Sequence, residues 1–203
     1  MSMPIEPRQQ EVQAGYAQIK FRRVSGPDDE WLLHFYHSRN RLDAPASQAF
    51  GPITVIGDTD TLQTRTSLEF QANNRLTPML RSVWGAEIRE ETLAAPLFMN
   101  THKTLRGLLS RAYANLEWRA QPDLLLQGGA MIEHHYYSGT DISPRIAANY
   151  EFLRDHTLRL NLSQAYRTPT FFEQRGNLTF YSTSGIPVST ISIPANDDLA
   201  PER

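Results

Sequence analysis

From Thr61 to Thr92 the sequence alternates in polarity for longer than most water-soluble strands run, and that length narrows the possible folds more than any motif. On the first arm Leu62, Thr64, Thr66, Leu68, Phe70 and Ala72 alternate with Gln63, Arg65, Ser67, Glu69, Gln71 and Asn73. Leu76-Thr77-Pro78 reverses the chain, and Leu80, Ser82, Trp84, Ala86 and Ile88 then alternate with Arg81, Val83, Gly85, Glu87 and Arg89. Successive strand side chains point to opposite faces, so each arm has one apolar face and one mostly polar face. An arm of about 13 residues extends roughly 43 Å at ~3.3 Å per residue. Tilted by about 45° it covers roughly 30 Å, the thickness of a hydrocarbon core. Strands in soluble domains average about 5–6 residues.

Composition removes several classes. The chain has 203 residues, a formal net charge of -2 and a pI near 6.3, with its 20 Lys and Arg scattered singly, so no nucleic-acid partner is expected. It has no Cys, which excludes disulfides and thiolate chemistry. Mean hydropathy is -0.47 and no window approaches about 18 unbroken apolar residues, so no transmembrane helix is expected. A transmembrane barrel is compatible with both facts, because half of each strand faces water. Met1 to Val12 is polar, carries Pro4 and Pro7, and lacks the apolar core of a signal peptide. Residues 1–14 are expected to be irregular, and the chain is expected to be either soluble or a piece of a longer protein.

Taken in order, Gly15 to Arg23 and Trp31 to Arg39 read as a first pair of strands around Ser25–Asp29. A long connection follows from about Leu42 to Asp58, then the central hairpin, then a second connection from Ala94 to Lys103. Leu108 to Arg119 and Leu124 to Tyr136 flank Gln121-Pro122-Asp123, and strands around Ile146 and Leu160 flank Arg154-Asp155-His156. From Thr168 onward the alternation fades. The fold class expected is all-β: about eight long antiparallel up-and-down strands of transmembrane type, forming a curved sheet of an incomplete barrel. Short turns alternate with generally longer connections, as in outer-membrane barrels. Phe21, Trp31, Trp118, Tyr150 and Phe152 lie near the short turns, where an interfacial girdle would sit. Charges of apolar parity, Arg23, Glu90, Arg106 and His134, fall near strand ends, where facing lipid costs about 0–1 kcal/mol rather than the 2–4 of the midplane.

The segment "LRLNLSQAYRTPTFFEQ", Leu158 to Gln174, followed by "NDDLAPE", Asn196 to Glu202, resembles the late-barrel signature of TonB-dependent outer-membrane receptors. Arg167, Pro169, Glu173, Asn196, Leu199, Pro201 and Glu202 match it, and "SPRIAANYEFLRDHTLRL" and "VWGAEIREET" also resemble family hairpins. Gln174 stands where the family usually has Leu. The resemblance covers the chain from about Gly15, so residues 15–203 are expected to be a partial receptor barrel without a plug domain. It implies residence in the outer membrane, a lipid-facing surface, and membership of a receptor for active uptake of a scarce ligand: an iron-siderophore, haem or cobalamin. It implies energy from the TonB complex through an N-terminal region missing here, and no catalysis and no cofactor. A middle third of a receptor is not expected to transport alone.

The residues themselves offer no catalytic or metal site. Glu133-His134-His135 suggests a metal, but adjacent strand residues face opposite ways and cannot chelate together. Gly-x-Ser-x-Gly is absent, and Gly128-Gly129 reads as a bend or bulge rather than a phosphate loop. The inward charges Arg65, Glu69, Arg81, Glu87, Arg89, Arg111, Glu117, Arg145, Glu151 and Arg159 could meet a plug or ligand, though cross-strand ion pairing is the simpler expectation. Phe171, Phe172, Phe180 and Tyr181 could touch a planar ligand, though packing within their own loop is the simpler expectation. Two alternatives stay open: a self-contained small outer-membrane barrel, structural or lipid-active, and a soluble β-sandwich binding module. The sandwich predicts strands about half as long, with apolar faces meeting each other.

Overall fold

The computed structural model describes residues 10–50, 53–99, 101–182 and 184–191. In chain order its elements are β1 (Glu11–Gly26), β2 (Asp29–Asp43), β3 (Pro45–Phe50), β4 (Ile53–Asp58), β5 (Thr61–Thr77) and β6 (Leu80–Ala94). There follow α1 (Pro96–Met99), β7 (Leu105–Gln121), β8 (Leu124–His135), β9 (Gly139–Leu153), β10 (His156–Ser163), α2 (Phe171–Arg175), β11 (Leu178–Ser182) and β12 (Pro187–Ile191). The long strands form one antiparallel sheet, β1-β2-β5-β6-β7-β8-β9-β10, in which every neighbour is the next long strand along the chain.

β1, β2, β5, β6, β7 and β9 each run 15–17 residues, the length predicted for the membrane reading and well beyond that of a sandwich. Each short turn is flanked by a register shift, at Val24/Gly26, Arg75/Thr77, Arg119/Gln121 and His156/Thr157, so all four irregularities lie at one end of the sheet. β1 begins at Glu11 rather than Gly15, because Glu11 to Ala14 pair with Asp43 to Asn40 of β2. Residues 11–14, expected to be irregular, are therefore strand.

The register places the apolar parity of every strand in continuous cross-strand rows. One row runs Phe21, Leu33, Phe70, Ala86, Ala112, Ile132, Ile142 from β1 to β9. Among the described residues no second layer covers this face. Trp84 is 46%, Leu116 48% and Leu160 60% exposed, although a soluble protein would bury such residues. Among the described residues the only buried apolar side chains are Ala44, Ala72, Ala95, Leu97, Met99 and Leu109. So small an interior cannot stabilise a chain of this length in water, and the sandwich alternative fails on it. β1 and β10 are the two ends of the sheet order and do not pair with each other, so the described strands do not close an eight-stranded barrel.

The aromatic residues form a band on the outer face toward the short turns. Phe21 and Trp31 lie 5.1 Å apart, Trp31 and Phe70 6.2 Å, and Phe70 and Trp84 5.2 Å. Tyr150, Phe152 and His156 continue it on the last hairpin, with spacings of 6.5 and 5.9 Å.

The connections are more ordered than their sequence indicates. The stretch from Leu42 to Asp58 contains the β3–β4 hairpin, the second connection contains α1, and the segment after Thr168 contains α2 and the β11–β12 hairpin. These short strands make a second sheet, β12-β11-β4-β3. The matching stretch Asn196 to Glu202 lies outside the described residues.

Candidate functional site: a charged inner face beneath a loop roof

The opposite parity of the long strands carries the charges. His34, Glu69, Glu87, Arg111, Glu133 and Asp141 occupy one cross-strand row from β2 to β9. Along it His34 Nδ1 lies 3.9 Å from Glu69, and an Arg111 Nη atom lies 2.6 Å from Glu87 Oε2. Glu87 is only 8% exposed, and its contact with Arg111 is ionic rather than an aligned hydrogen bond. Two inner-face rows further toward the long connections Glu91 receives Arg65 from across the strands, at 2.9 Å, and Arg89 from its own strand, at 3.3 Å. Opposite charges directly across or diagonal on one sheet face attract. The simpler expectation, cross-strand pairing, is what the structure shows for Arg65, Glu69, Glu87 and Arg111, whereas Arg89 pairs with Glu91 along its own strand.

Two glycines let long polar side chains lie flat over this face. A Cβ on Gly85 would stand 2.5 Å from the Phe70 carbonyl oxygen and 2.6 Å from the Tyr113 hydroxyl. Its absence lets Tyr113 cross β6 and donate to Gln71 Oε1 at 2.9 Å. Gly129 does the same for Asn115, whose Oδ1 occupies the space a Cβ there would need. The expected bend at Gly128-Gly129 is absent: the β7–β8 and β8–β9 registers pass through both without a shift. At Gly129 the reason for glycine is close approach of a neighbouring side chain, not curvature, whereas a Cβ on Gly128 would meet open space.

Toward the short turns the inner face opens into a cavity of about 550 Å³ bordered by Arg22, Glu30, Asn73, Arg81, Glu117 and Arg145. Arg22 pairs with Glu30, which also accepts from Asn73 Nδ2 at 2.8 Å. Arg75 and Arg81 reach Asp28 at 3.1 and 3.4 Å, and Gln127 donates to Glu117 at 3.0 Å. Arg145, Glu151 and Arg159 have no side-chain partner among the described residues.

At the other end the connections build a roof. β4 pairs with β11 through Ile56–Tyr181 and Val55–Ser182, joining the loop between β2 and β5 to the segment beyond β10. That segment folds over the inner face: Thr168 donates to Glu133 at 3.2 Å, and the Asn177 amide donates to the Phe98 carbonyl at 2.8 Å. Phe171 packs edge-on against Tyr137 at 5.5 Å and Phe172 against Phe98 at 6.2 Å, with the Arg175 guanidinium 6.0 Å from the Tyr137 ring centre. Phe171 and Phe172 thus pack against neighbouring connections rather than within their own loop, because the segment after β10 lies across the roof. Tyr181 is 39% exposed and Phe180 half-buried.

Thr170 caps α2 through a reciprocal box: its Oγ1 accepts from the Glu173 amide, and Glu173 accepts from the Thr170 amide at 2.7 Å. Arg167 forks onto both Glu173 oxygens at 3.0–3.2 Å. The Arg167 hydrogen bonds, then those from Thr170, hold the Glu173 carboxyl down to about 2. Gln174 is 1% exposed, and both its amide atoms lack partners. His134 and His135 fall on opposite faces as expected: His134 contacts Thr140 Oγ1 at 2.8 Å outside, and the His135 ring lies tilted against Tyr137 at 5.8 Å inside. Groups of acidic and His side chains able to hold a metal are absent among the described residues.

Sequence reasoning missed the β3–β4 hairpin and the buried Gln174. The Gly51-Pro52 pair beside the β-branched run Ile53–Ile56 is the signal for the first. The second has no local signal.

A two-faced sheet of this length, wet inside and apolar outside, matches the family model described as TonB dependent receptor-like, beta-barrel, over residues 6–203. The chain belongs to the TonB-dependent receptor family. That family consists of outer-membrane receptors and transporters rather than enzymes, and this member of it is an open stretch of barrel wall. Among solved structures, a mutant of the ferric enterobactin receptor PfeA from Pseudomonas aeruginosa aligns with a TM-score of 0.75 at 13% identity, over 95% of this chain and 31% of that one. The siderophore receptor PirA from Acinetobacter baumannii aligns with a TM-score of 0.58 at 11% identity, over 95% of this chain and 40% of that one. PirA from Pseudomonas aeruginosa aligns at 0.52 and 16% identity, over 79% and 36%. At such identities the likeness is one of fold. This TonB-dependent receptor chain spans about a third of the length of the structures it matches. No curated protein matches its sequence.

Proposed function

We propose that this chain forms part of the barrel wall of an outer-membrane receptor that takes up an iron-siderophore, with the roof side extracellular. The observation that carries the reading is the exposed apolar face on strands of 15–17 residues, backed by a charged inner face. In lipid every backbone polar group needs a partner within the protein. The free edges of β1 and β10 therefore pair with further strands of the complete barrel, and this chain alone does not transport. Lipid covers the outer face, and the TonB complex drives uptake.

The ligand class rests on the solved receptors of similar fold, whose names specify ferric enterobactin and siderophores, so it is siderophore in preference to haem or cobalamin. The test is iron-limited growth of an outer-membrane host lacking its own receptors and expressing the complete receptor. Ferric siderophore should support growth only when TonB is present. Growth on haem or cobalamin but not on any ferric siderophore would overturn the ligand class; uptake independent of TonB would overturn the transport reading.

A further inference from the structure

Two tyrosines on the inner face take no part in its charge pairing. Tyr16 on β1 and Tyr36 on β2 share the parity of Lys20 and His34, so they project toward the wet side of the sheet. Ser38 lies directly across from Tyr16, which makes Tyr36 its diagonal neighbour. The two rings stack, with centroids 6.2 Å apart and planes 24° from parallel. Tyr36 is half-buried, Tyr16 is 71% exposed, and neither hydroxyl has a hydrogen-bond partner among the described residues. His34 closes one side, its ring 6.3 Å from Tyr36 and its Nε2 3.3 Å from Gln18 Oε1. Lys20, directly across from His34, is exposed and has neither a hydrogen-bond nor an ion-pair partner among the described residues.

What these side chains suit follows from their position and charge. Tyr36 is midway along β2, so the pair lies on the wall between the roof and the short-turn cavity. A strand added at the free edge of β1 would run about 4.8 Å to its side and leave the inner face of Tyr16 open. Aromatic rings prefer offset stacking, so the open side of Tyr16 accepts a further ring. Glu69 and Glu91 already face His34 and Arg65, so the uncommitted charge beside the rings is that of Lys20. A neutral sugar also lies on aromatic faces, but it is held by polar groups around its rim, and Gln18 and His34 are engaged with each other. A ring carrying negative charge uses both the stack and the ammonium.

We propose that Tyr16, Tyr36 and Lys20 form a site on the barrel wall, below the roof, that stacks a planar aromatic group bearing negative charge, as carried by a ferric siderophore that chelates through catecholate rings. The inference rests on the siderophore reading and deepens it. It selects aryl chelators over hydroxamates, and it puts a ligand contact on the wall itself rather than in the loops.

The test is binding of two diamagnetic probes, gallium tris-catecholate and gallium trihydroxamate, to the full chain in phosphatidylcholine nanodiscs. Affinities come from titration followed by saturation-transfer NMR, and heat-modifiable gel mobility checks that each variant is inserted. The catecholate should bind more tightly. Tyr16→Leu and Tyr36→Leu should each weaken its binding about fivefold, whereas Tyr16→Phe keeps the ring and should retain it. Lys20→Gln should weaken it about threefold, by an amount that shrinks as salt is raised, and Lys20→Arg should not. Lys20 is exposed on the wet face, so its variants decide the matter if a tyrosine variant does not insert. Tyr181→Leu, on the roof, should change nothing. Equal affinity for the two probes, or equal loss in Tyr16→Phe and Tyr16→Leu, overturns the stacking site. Weakening by Tyr181→Leu with the wall variants unaffected moves the contact to the roof and overturns the wall assignment. Either failure leaves the siderophore reading standing, which falls only if the complete receptor supports growth on no ferric siderophore.

Discussion

Ala112→Arg separates lipid from water as the solvent of the outer face. Ala112 is exposed and central in β7, between Ala86 and Ile132 in the cross-strand row. An arginine there meets no steric obstacle, and if the face were in water the change would lie within about ±0.5 kcal/mol. At the midplane of a bilayer it costs about 2–4 kcal/mol, falling to about 0–1 near the interface. The larger figure reduces the folded-to-unfolded ratio roughly 30- to 700-fold. Leu108 is the control, on the same face and strand but about 9 Å nearer the interface at a tilt of about 45°. The assay is urea unfolding from lipid vesicles, read by heat-modifiable gel mobility, in the complete receptor so that both sheet edges are paired. The expected result is a large midpoint shift for Ala112→Arg and a small one for Leu108→Arg. Equal, small shifts at both positions would refute the lipid-facing assignment.

The roof and the inner face give further expectations. Gln174→Leu should stabilise the roof by about 1–3 kcal/mol, since it removes two buried amide atoms without partners; slower hydrogen exchange in α2 would register it, and faster exchange would contradict it. Glu87→Leu should destabilise by about 1–3 kcal/mol because Arg111 loses its partner, a loss moderated by the 32% exposure of the Arg111 side chain. Adding Arg111→Leu to Glu87→Leu should recover most of that loss in the same urea assay, and simple additivity would contradict the pairing. Gly85→Ala should drive Tyr113 off Gln71 and lower the unfolding midpoint more than Gly128→Ala, whose Cβ would meet open space. The Glu173 carboxyl titrates at about 2 when folded against an ordinary value of 4.5, so its support of the α2 clasp is complete above 4.5 and fades as pH falls toward 2. Exchange protection of α2 should follow that window, and Arg167→Gln should narrow the window by raising the Glu173 titration.

The alternation of residues such as Leu68, Glu69 and Phe70 determined the strands and their faces. A period of two is a local property, and any regular strand carrying it presents the same two sides. The turn signals at Pro78, Pro122 and Asp155 determined the meander, because an up-and-down order needs only that each strand pair with the next. Tertiary structure alone decided what spans non-consecutive elements: the seam of β4 on β11, Thr168 reaching Glu133, and the burial of Gln174 beneath the roof. It also decided why Gly85 and Gly129 are glycines, since the atoms that exclude a Cβ belong to neighbouring strands. Those contacts depend on where distant segments meet in space, and no spacing along one segment encodes that meeting.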